Sequence, residues 1–420
     1  MTNSKSPLNY AWVVVALLFP VALLNYLDRQ MIASMKVSVM NDIPSIGTEA
    51  NWGLMLGKFK FVYAIFSPLG GYLADRFSRK YTICGSLLIW SLITWLTGHV
   101  SSYNELLVAR TAMGISEACY IPAALAMIAD YHSTLTRSRA VGIHQMGIYC
   151  GVIVGGFAGY VADAPAYGWR FMFDFTGLVG VLYVLPLLWL LRDFPRESRS
   201  IAATGRSGSW FAFLGNRNFL LLVGYFTLPA VAAWVVRDWM PAILQKEFNI
   251  SQGKAGVSAS LYWQAAALVF ALVGGYLADR WMKKTERGRI YVSALGMLLI
   301  VPAMFMVGKA PGLHSLNLAV MGLILFGIGW GFFDINNMPI LSQIVGPEQR
   351  ATGYGIMNFV SMMSGGMADW AFGVMTDKNV PLDIIFGAFA CFALVSIALV
   401  LMIKPQSGSN FSPNPSAPSS

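Results

Sequence analysis

Charged residues are scarce in this chain: only 12% of its 420 residues are Asp, Glu, Lys or Arg, against 56% apolar. With a mean hydropathy of +0.58, this balance excludes an ordinary soluble two-domain protein. Cysteine is nearly absent too. Cys84, Cys119, Cys150 and Cys391 stand singly within apolar runs, without paired spacing, so neither a disulfide framework nor a metal site is expected. There is no Gly-Lys-Ser/Thr phosphate loop, no His-Glu-x-x-His and no Gly-x-Ser-x-Gly in a plausible context. Those absences argue against ATP as an energy source, against an enzyme and against any cofactor.

Long apolar sequence is what the chain has in quantity. Runs of about twenty residues recur, each long enough at ~1.5 Å per residue to cross a ~30 Å hydrocarbon core. Backbone in lipid must satisfy its own hydrogen bonds, so these runs are read as helices. They lie at 12–40, 52–74, 81–100, 104–130, 140–162, 171–191, 219–248, 255–278, 290–308, 316–344, 351–375 and 382–403. The fold expected is an all-α polytopic membrane protein of twelve transmembrane helices. The first span carries Asp28 and Arg29 and lacks a small-residue cleavage site, so it is expected to stay in place rather than be removed as a signal peptide.

The formal charge of +9 reports membrane orientation, not a nucleic-acid partner. Seventeen basic residues, from Arg76, Arg79 and Lys80 to Lys404, fall in loops of one side, which with Lys5 is read as cytoplasmic. Only Lys36, Arg170, Lys246, Lys254, Lys309 and Lys378 fall on the other. An even number of spans then leaves both termini cytoplasmic, in an inner (plasma) membrane.

Comparing the chain with itself reveals a duplication. Gly70-Gly71-Tyr72-Leu73-Ala74-Asp75-Arg76 recurs letter for letter as Gly274-Gly275-Tyr276-Leu277-Ala278-Asp279-Arg280, each copy ending a span and opening a short basic turn. Gly114-Ile115-Ser116-Glu117 with Pro122 likewise answers Gly331-Phe332-Phe333-Asp334 with Pro339, which makes Glu117 and Asp334 equivalent carboxylates. The chain divides into two six-helix bundles, 1–191 and 218–404, joined by a polar linker at 192–217 and followed by a Ser/Pro/Asn-rich tail at 405–420 expected to be disordered. In span five, Gly147, Gly151, Gly155 and Gly159 recur every fourth residue with Gly156 beside them. Such a face suits close helix packing or a rocking contact.

The duplicated turn, followed in the first copy by Arg79-Lys80, resembles the signature loop of the major facilitator superfamily. That resemblance covers nearly the whole chain. It implies two pseudo-symmetric bundles rocking about a midplane site, with Asp75 and Arg76 latching the inward gate.

Charges within spans carry the functional reading, because each costs at least ~2.5–3.5 kcal/mol at bilayer depth unless it faces a cavity or a partner. Arg110 and Glu117 are seven residues apart, on one helix face and about 10 Å apart along the axis. A guanidinium can fork two hydrogen bonds to a carboxylate, and a buried glutamate can carry a proton. The pair suits anion binding coupled to protons, or else an ion pair that only fixes the bundle. Asn25-Tyr26-Leu27-Asp28-Arg29 adds adjacent opposite charges pointing about 100° apart. Asp28 is expected to neutralise an arginine such as Arg110 in the empty state, leaving Arg29 to meet a substrate anion.

These two motifs together resemble the anion:cation symporter family, which includes sugar-acid permeases. The resemblance implies proton coupling by Asp28 and Glu117, substrate and charge-relay contacts by Arg29 and Arg110, and a substrate-contacting tyrosine at Tyr63. The same motifs also resemble the Spinster-type branch, whose members move lysolipids or related amphiphiles, and Ala129-Asp130 before Arg137-Ser138-Arg139-Ala140 leans that way. A sugar-acid permease usually has Ala-Pro after the span-four glutamate, where this chain has Ala118-Cys119.

Further polar residues complete the expected site. Lys60 lies about 12 Å into span two, too deep to snorkel, and is read as a further anion contact, while Lys58 points elsewhere. Arg237-Asp238 in span seven mirrors Asp28-Arg29 in reversed order and is read as a gate or a substrate contact, with Pro241 able to break the helix there. Tyr262, Gln264, Asn336, Asn337 and Asn358, with Asp334 and Asp369 nearby in sequence, offer aromatic faces, amides and carboxylates for a hydroxylated solute. The expected partners are a small organic anion, most simply a sugar acid (hexuronate, aldonate or sialic-acid-like), a proton with sodium not excluded, and the lipid bilayer. The chain is expected to work as a monomer. The rivals are a Spinster-like lysolipid or amphiphile exporter and a transporter-like solute sensor.

Overall fold

The computed structural model describes residues 8–194, 213, 215–346 and 349–405, all in helices, turns and short connections. Most of the linker expected at 192–217, and the tail expected at 405–420 apart from its first residue, lie outside the described residues. Twelve helical segments run back and forth. In the first half they are α1 (Leu8–Ser34), α2 (Glu49–Arg76), α3 (Arg79–Thr97), α4 (Tyr103–Tyr131), α5 (Thr134–Gly156, continued by Ala158–Asp163) and α6 (Gly168–Leu190). In the second they are α7 (Arg217–Phe248), α8 (Gln252–Met282), α9 (Gly288–Lys309), α10 (Leu316–Ser342), α11 (Arg350–Asp377) and α12 (Leu382–Met402).

Among the described residues, nine of these helices are long and apolar enough to cross a membrane by length and composition alone. The others, α2, α3 and α11, are 28, 19 and 28 residues long and carry Lys58 and Lys60, Arg79 and Lys80, and Asp369 respectively. Two expectations need correction. The span read at 12–40 is two helices, because α1 ends at Ser34 and a short helix, Lys36–Asp42, turns Lys36 toward Glu49 at 2.5 Å. Pro241 does not break α7, which runs unbroken through Pro229 and Pro241. A proline removes one donor, and neighbouring helices within a membrane bundle tolerate that loss.

Packing repeats between the halves. Within the first half α1 packs on α5, α2 on α4 and α3 on α6; within the second α7 packs on α11, α8 on α10 and α9 on α12. The duplicated glycine motif has the same task in both copies. A Cβ on Gly70 would lie 2.5 Å from the Ala118 carbonyl oxygen in α4, and one on Gly274 would lie 2.9 Å from the Phe332 ring in α10. Each of these partner helices is interrupted beside its equivalent carboxylate: α4 after Glu117, resuming at Tyr120, and α10 after Asp334, resuming at Asn337.

Contact between the halves is made by α2 against α11 and by α5 against α8. It is concentrated away from the face where α1 begins and α12 ends. A Cβ on Gly57 would lie 2.6 Å from the Gly366 carbonyl oxygen, and one on Gly256 would lie 2.3 Å from that of Gly156. Asp377 accepts the Glu49 and Ala50 amides, and Asp163 accepts from Gln252 and Gly253. The span-five glycine stripe divides between two tasks. Gly147, Gly151 and Gly155 lie on α1 of their own half, while Gly156 and Gly159 meet α8 of the other.

Toward the termini the same helix faces part. Gly142, Tyr149 and Gly156 share one face of α5 at sevenfold spacing, as Gly355, Met362 and Asp369 do on α11. Gly142 and Gly355 have open space before them, whereas Gly156 and Asp369 are in contact with the other half. Along these helix faces the halves are in contact toward the far face and part toward the termini face. Gly57→Val should therefore overpack the closed end by ~1–3 kcal/mol. A cysteine pair placed across α2 and α11 near the far face should cross-link about 5- to 150-fold less readily than in the parent, while Gly355→Val should leave the yield unchanged.

Candidate functional site

The centre of the first half is a buried set of four charges. The Nε of Arg29 donates to Oε2 of Glu117 at 2.7 Å, with the two side chains 6% and 0% exposed. The guanidinium lies over the rings of Tyr26, Phe59 and Tyr63 at 4.7–4.9 Å, and such faces favour a desolvated cation. Thr94 donates to Asp28 at 2.7 Å. Arg110 is 1% exposed, lies 5.0 Å over Phe59 and contacts the Met113 sulfur at 3.0 Å. No carboxylate comes within ion-pair distance of it among the described residues.

Part of the expected pairing is thus exchanged. Asp28 makes no direct ion pair with Arg110 among the described residues; Thr94 donates to its carboxylate, and Arg29 is the arginine bound to Glu117. The cluster also leaves bonding capacity unused. Both terminal nitrogens of Arg29, Oε1 of Glu117, Oδ1 of Asp28 and Nε of Arg110 are buried without a hydrogen-bond partner. An arginine–carboxylate pair can make two parallel bonds, and this one makes a single bond. Such a set has more than one way to pair.

A second group ties the halves together. Lys60 of α2 donates to Asp238 of α7 at 2.5 Å and to Asp369 of α11, with side-chain exposures of 4%, 6% and 0%. It also lies 4.3 Å from the centre of the Trp234 ring. The sequence reading places Lys60 correctly in the interior, and Lys58 is exposed. Lys60 is not an open anion contact, however, because two carboxylates from the other half already hold it.

Arg237, one residue before Asp238, points about 100° away from it into the cavity. It is half-buried between Tyr26 at 5.3 Å and Trp234 at 5.1 Å, without a hydrogen bond or ion pair from its side chain among the described residues. Its backbone carbonyl accepts from Gln30 across the divide at 3.2 Å. Arg237 and Tyr149 both face Asp334, which is partly exposed.

The remaining expected residues scatter. Tyr63 is buried under Arg29 as a wall of the cluster, and Asn358 is partly exposed on α11. Gln264, Asn336 and Asn337 are 0%, 0% and 2% exposed, behind the cavity surface. Asn336 donates to the Phe332 carbonyl of its own helix at 2.9 Å. Tyr262 belongs with Val269, Leu272 and Tyr276 on an exposed stripe of α8 opposite the Gly256 and Ser260 face that meets α5, so it points away from the other half. The Asp75 side chain lies outside the described residues, while Arg76, exposed at the end of α2, donates to the Tyr72 hydroxyl at 2.9 Å. In the second copy Asp279 pairs with Arg289 at 2.7 Å.

Three residues of the site escape the sequence reading. Trp234 precedes Arg237 by one helical turn and so shares its face, a spacing visible in the sequence. Tyr149 lies seven residues before Gly156, again on one face. Thr94, which holds Asp28 from α3, carries no signal at all in sequence.

The fold agrees with known proteins. A model of the Major Facilitator Superfamily matches residues 18–368. Protein spinster of Drosophila melanogaster is 26% identical over 369 residues, covering 84% of this chain and 60% of the fly protein, so the chain spans less than two thirds of that relative. An MFS-type efflux pump of Mycolicibacterium smegmatis is 26% identical over 376 residues, covering 88% and 85%. A bacterial homolog to the human lysosomal transporter Spinster, in an inward-facing and occupied conformation, has the same fold with a TM-score of 0.80 at 22% identity over 94% of this chain and 97% of that one. The D-xylose-proton symporter does so with 0.76 at 17% over 96% and 100%. With that family match over most of its length, and with twelve long helical segments in two repeated halves among the described residues, the chain belongs to the major facilitator superfamily and is a multi-pass membrane transporter.

Proposed function

We propose that this transporter couples proton movement at Glu117 to passage of an organic anion whose charged group meets Arg237. The observation that carries the reading is the contrast among the cations. Arg29 and Lys60 are already neutralised by carboxylates and Arg110 is sealed behind Phe59, whereas Arg237 stands in the open cavity without an ion pair. A guanidinium between two aromatic faces is a strong site for a carboxylate or phosphate.

The coupling follows from charge balance. With both carboxylates ionised, Asp28 and Glu117 balance Arg29 and Arg110. Protonating Glu117 releases Arg29 and leaves the set with one positive charge in excess. A single anion entering the cavity restores neutrality, so proton and anion move together. In the membrane orientation read from the basic loops, the open face is cytoplasmic and the closed face looks outward.

The cavity walls favour an anion with an apolar body. Tyr26, Tyr149, Trp234 and Arg237 surround the opening, and Asn358 is the one expected amide that stays partly exposed. The similarity to spinster proteins, which resemble the branch whose members move lysolipids or related amphiphiles, supports the same reading. A sugar acid needs several directional hydroxyl partners, yet Gln264, Asn336 and Asn337 are buried behind the wall. We therefore place an amphiphilic monoanion of the lysolipid or fatty-acyl type before a sugar acid.

Uptake into proteoliposomes of a labelled panel of hexuronate, aldonate, sialic acid, lysophosphatidate and a fatty acid tests this order. Accumulation of the amphiphiles supports it; accumulation of sugar acids alone overturns it. Binding without counterflow of any member would identify a sensor. For the accumulated anion, Arg237→Gln should raise KM about 10- to 150-fold, as expected for losing a charge-assisted hydrogen bond worth ~1.5–3 kcal/mol, with Arg237→Lys recovering part of the loss. Glu117→Gln should abolish accumulation driven by a pH gradient while sparing counterflow, which needs no net proton transfer.

A further inference from the structure

The ionisable groups within the membrane-spanning interior do not balance. Four cations, Arg29, Lys60, Arg110 and Arg237, face five carboxylates, Asp28, Glu117, Asp238, Asp334 and Asp369. The first-half cluster holds two cations and two carboxylates, and among the described residues Arg237 and Asp334 make no ion pair. In the remaining group one ammonium, Lys60, serves two carboxylates, so with both ionised it carries one negative charge in excess.

That group is also the most thoroughly enclosed. Asp238 and Asp369 are 5% and 0% exposed and share the same Lys60 ammonium, each through its Oδ2. The second oxygen of Asp369, Oδ1, is buried without a hydrogen-bond partner. Two ionised carboxylates enclosed together on one cation are disfavoured, and a proton shared between the two carboxyls removes the excess. The other charged groups facing the triad do not supply the missing charge. Arg110 from α4 makes no ion pair with Asp238, and Arg237 from α7 lies 5.1 Å from the centre of the Trp234 ring without an ion pair to either carboxylate among the described residues.

We propose that Asp238 and Asp369 together hold a proton, forming a second proton site separate from Glu117, and that this proton locks the far face closed. Lys60 belongs to α2, Asp238 to α7 and Asp369 to α11, so the triad spans the contact between the halves. The adjoining Gly53 and Gly57 of α2 already pack on the α11 backbone at Asp369 and Gly366. With the proton in place the triad is neutral and stays dry. Without it, a net negative charge in the closed interface draws water and favours separation of α2 from α11. Acid should close the far face, and alkali should open it.

The test uses full-length protein in nanodiscs, with spin labels at Ser45 and Lys378, exposed positions near the far ends of α2 and α11, after replacing the native cysteines. The background is Glu117→Gln, so the titration does not depend on the function proposed for that residue. The open population should rise with pH by about tenfold per unit through the transition, as for one proton. Asp369→Asn and, separately, Asp238→Asn mimic the protonated pair and should stay closed at every pH. Infrared spectra of the same Glu117→Gln protein should show the carbonyl stretch of a protonated carboxylic acid in the closed state, lost in Asp369→Asn; this holds even if the label sites perturb the gate. A pH response that survives in both Asn variants, or a closed state without the triad's carboxylic-acid band, overturns the proposal.

Discussion

A carboxylate or ammonium taken from water into a dry interior incurs a penalty of several kcal/mol, even after relaxation. Every ionisable side chain in the interior of this bundle must therefore be paired, protonated or turned toward the cavity. Pairing and turning away from the packed interior both occur here, and each corresponds to a different task. Arg29 and Glu117 pair within one half. Lys60 pairs across the two halves. Arg237 turns to the cavity between aromatic faces. Chemistry that only balances charge at rest becomes transport when the balance is changed by a proton or an anion.

The glycines determine where these balances can be altered. At the far face, backbone meets backbone at Gly53, Gly57, Gly156 and Gly256, and the halves have no room to slide. At the termini face, Gly142 and Gly355 look into open space along the same helix faces. Lys60 and its two carboxylates sit where contact gives way to cavity, so their charge state and the closure of the far face are one physical variable. The interruptions of α4 after Glu117 and of α10 after Asp334 place one carboxylate of each half at a point where helical backbone is already relaxed.

Much of this architecture was legible from the residues. Apolar run length located the helices to within a few positions because the bilayer imposes a minimum span. The exact copy of Gly70–Arg76 at Gly274–Arg280 showed the duplication because both copies pack a glycine against a broken neighbour, a constraint few other residues satisfy. Charges in apolar surroundings marked Asp28, Arg29, Lys60, Arg110, Glu117, Arg237 and Asp238 as a set. Their partners were not legible. Arg29 meets Glu117 from 88 residues away, and Lys60 meets Asp369 from 309 away, so only the closed bundle selects the pairs. Buried amides such as Asn337 look the same in sequence as amides that line a cavity.

In the proposed coupling, Glu117 takes up a proton when the anion enters. Calorimetric titration of the accumulated anion into the purified wild-type transporter, in buffers of different ionisation enthalpy near neutral pH, counts the protons taken up on binding. The account predicts about one proton per anion bound, through the linkage between the two ligands. A binding heat independent of the buffer, meaning no proton uptake, would contradict it.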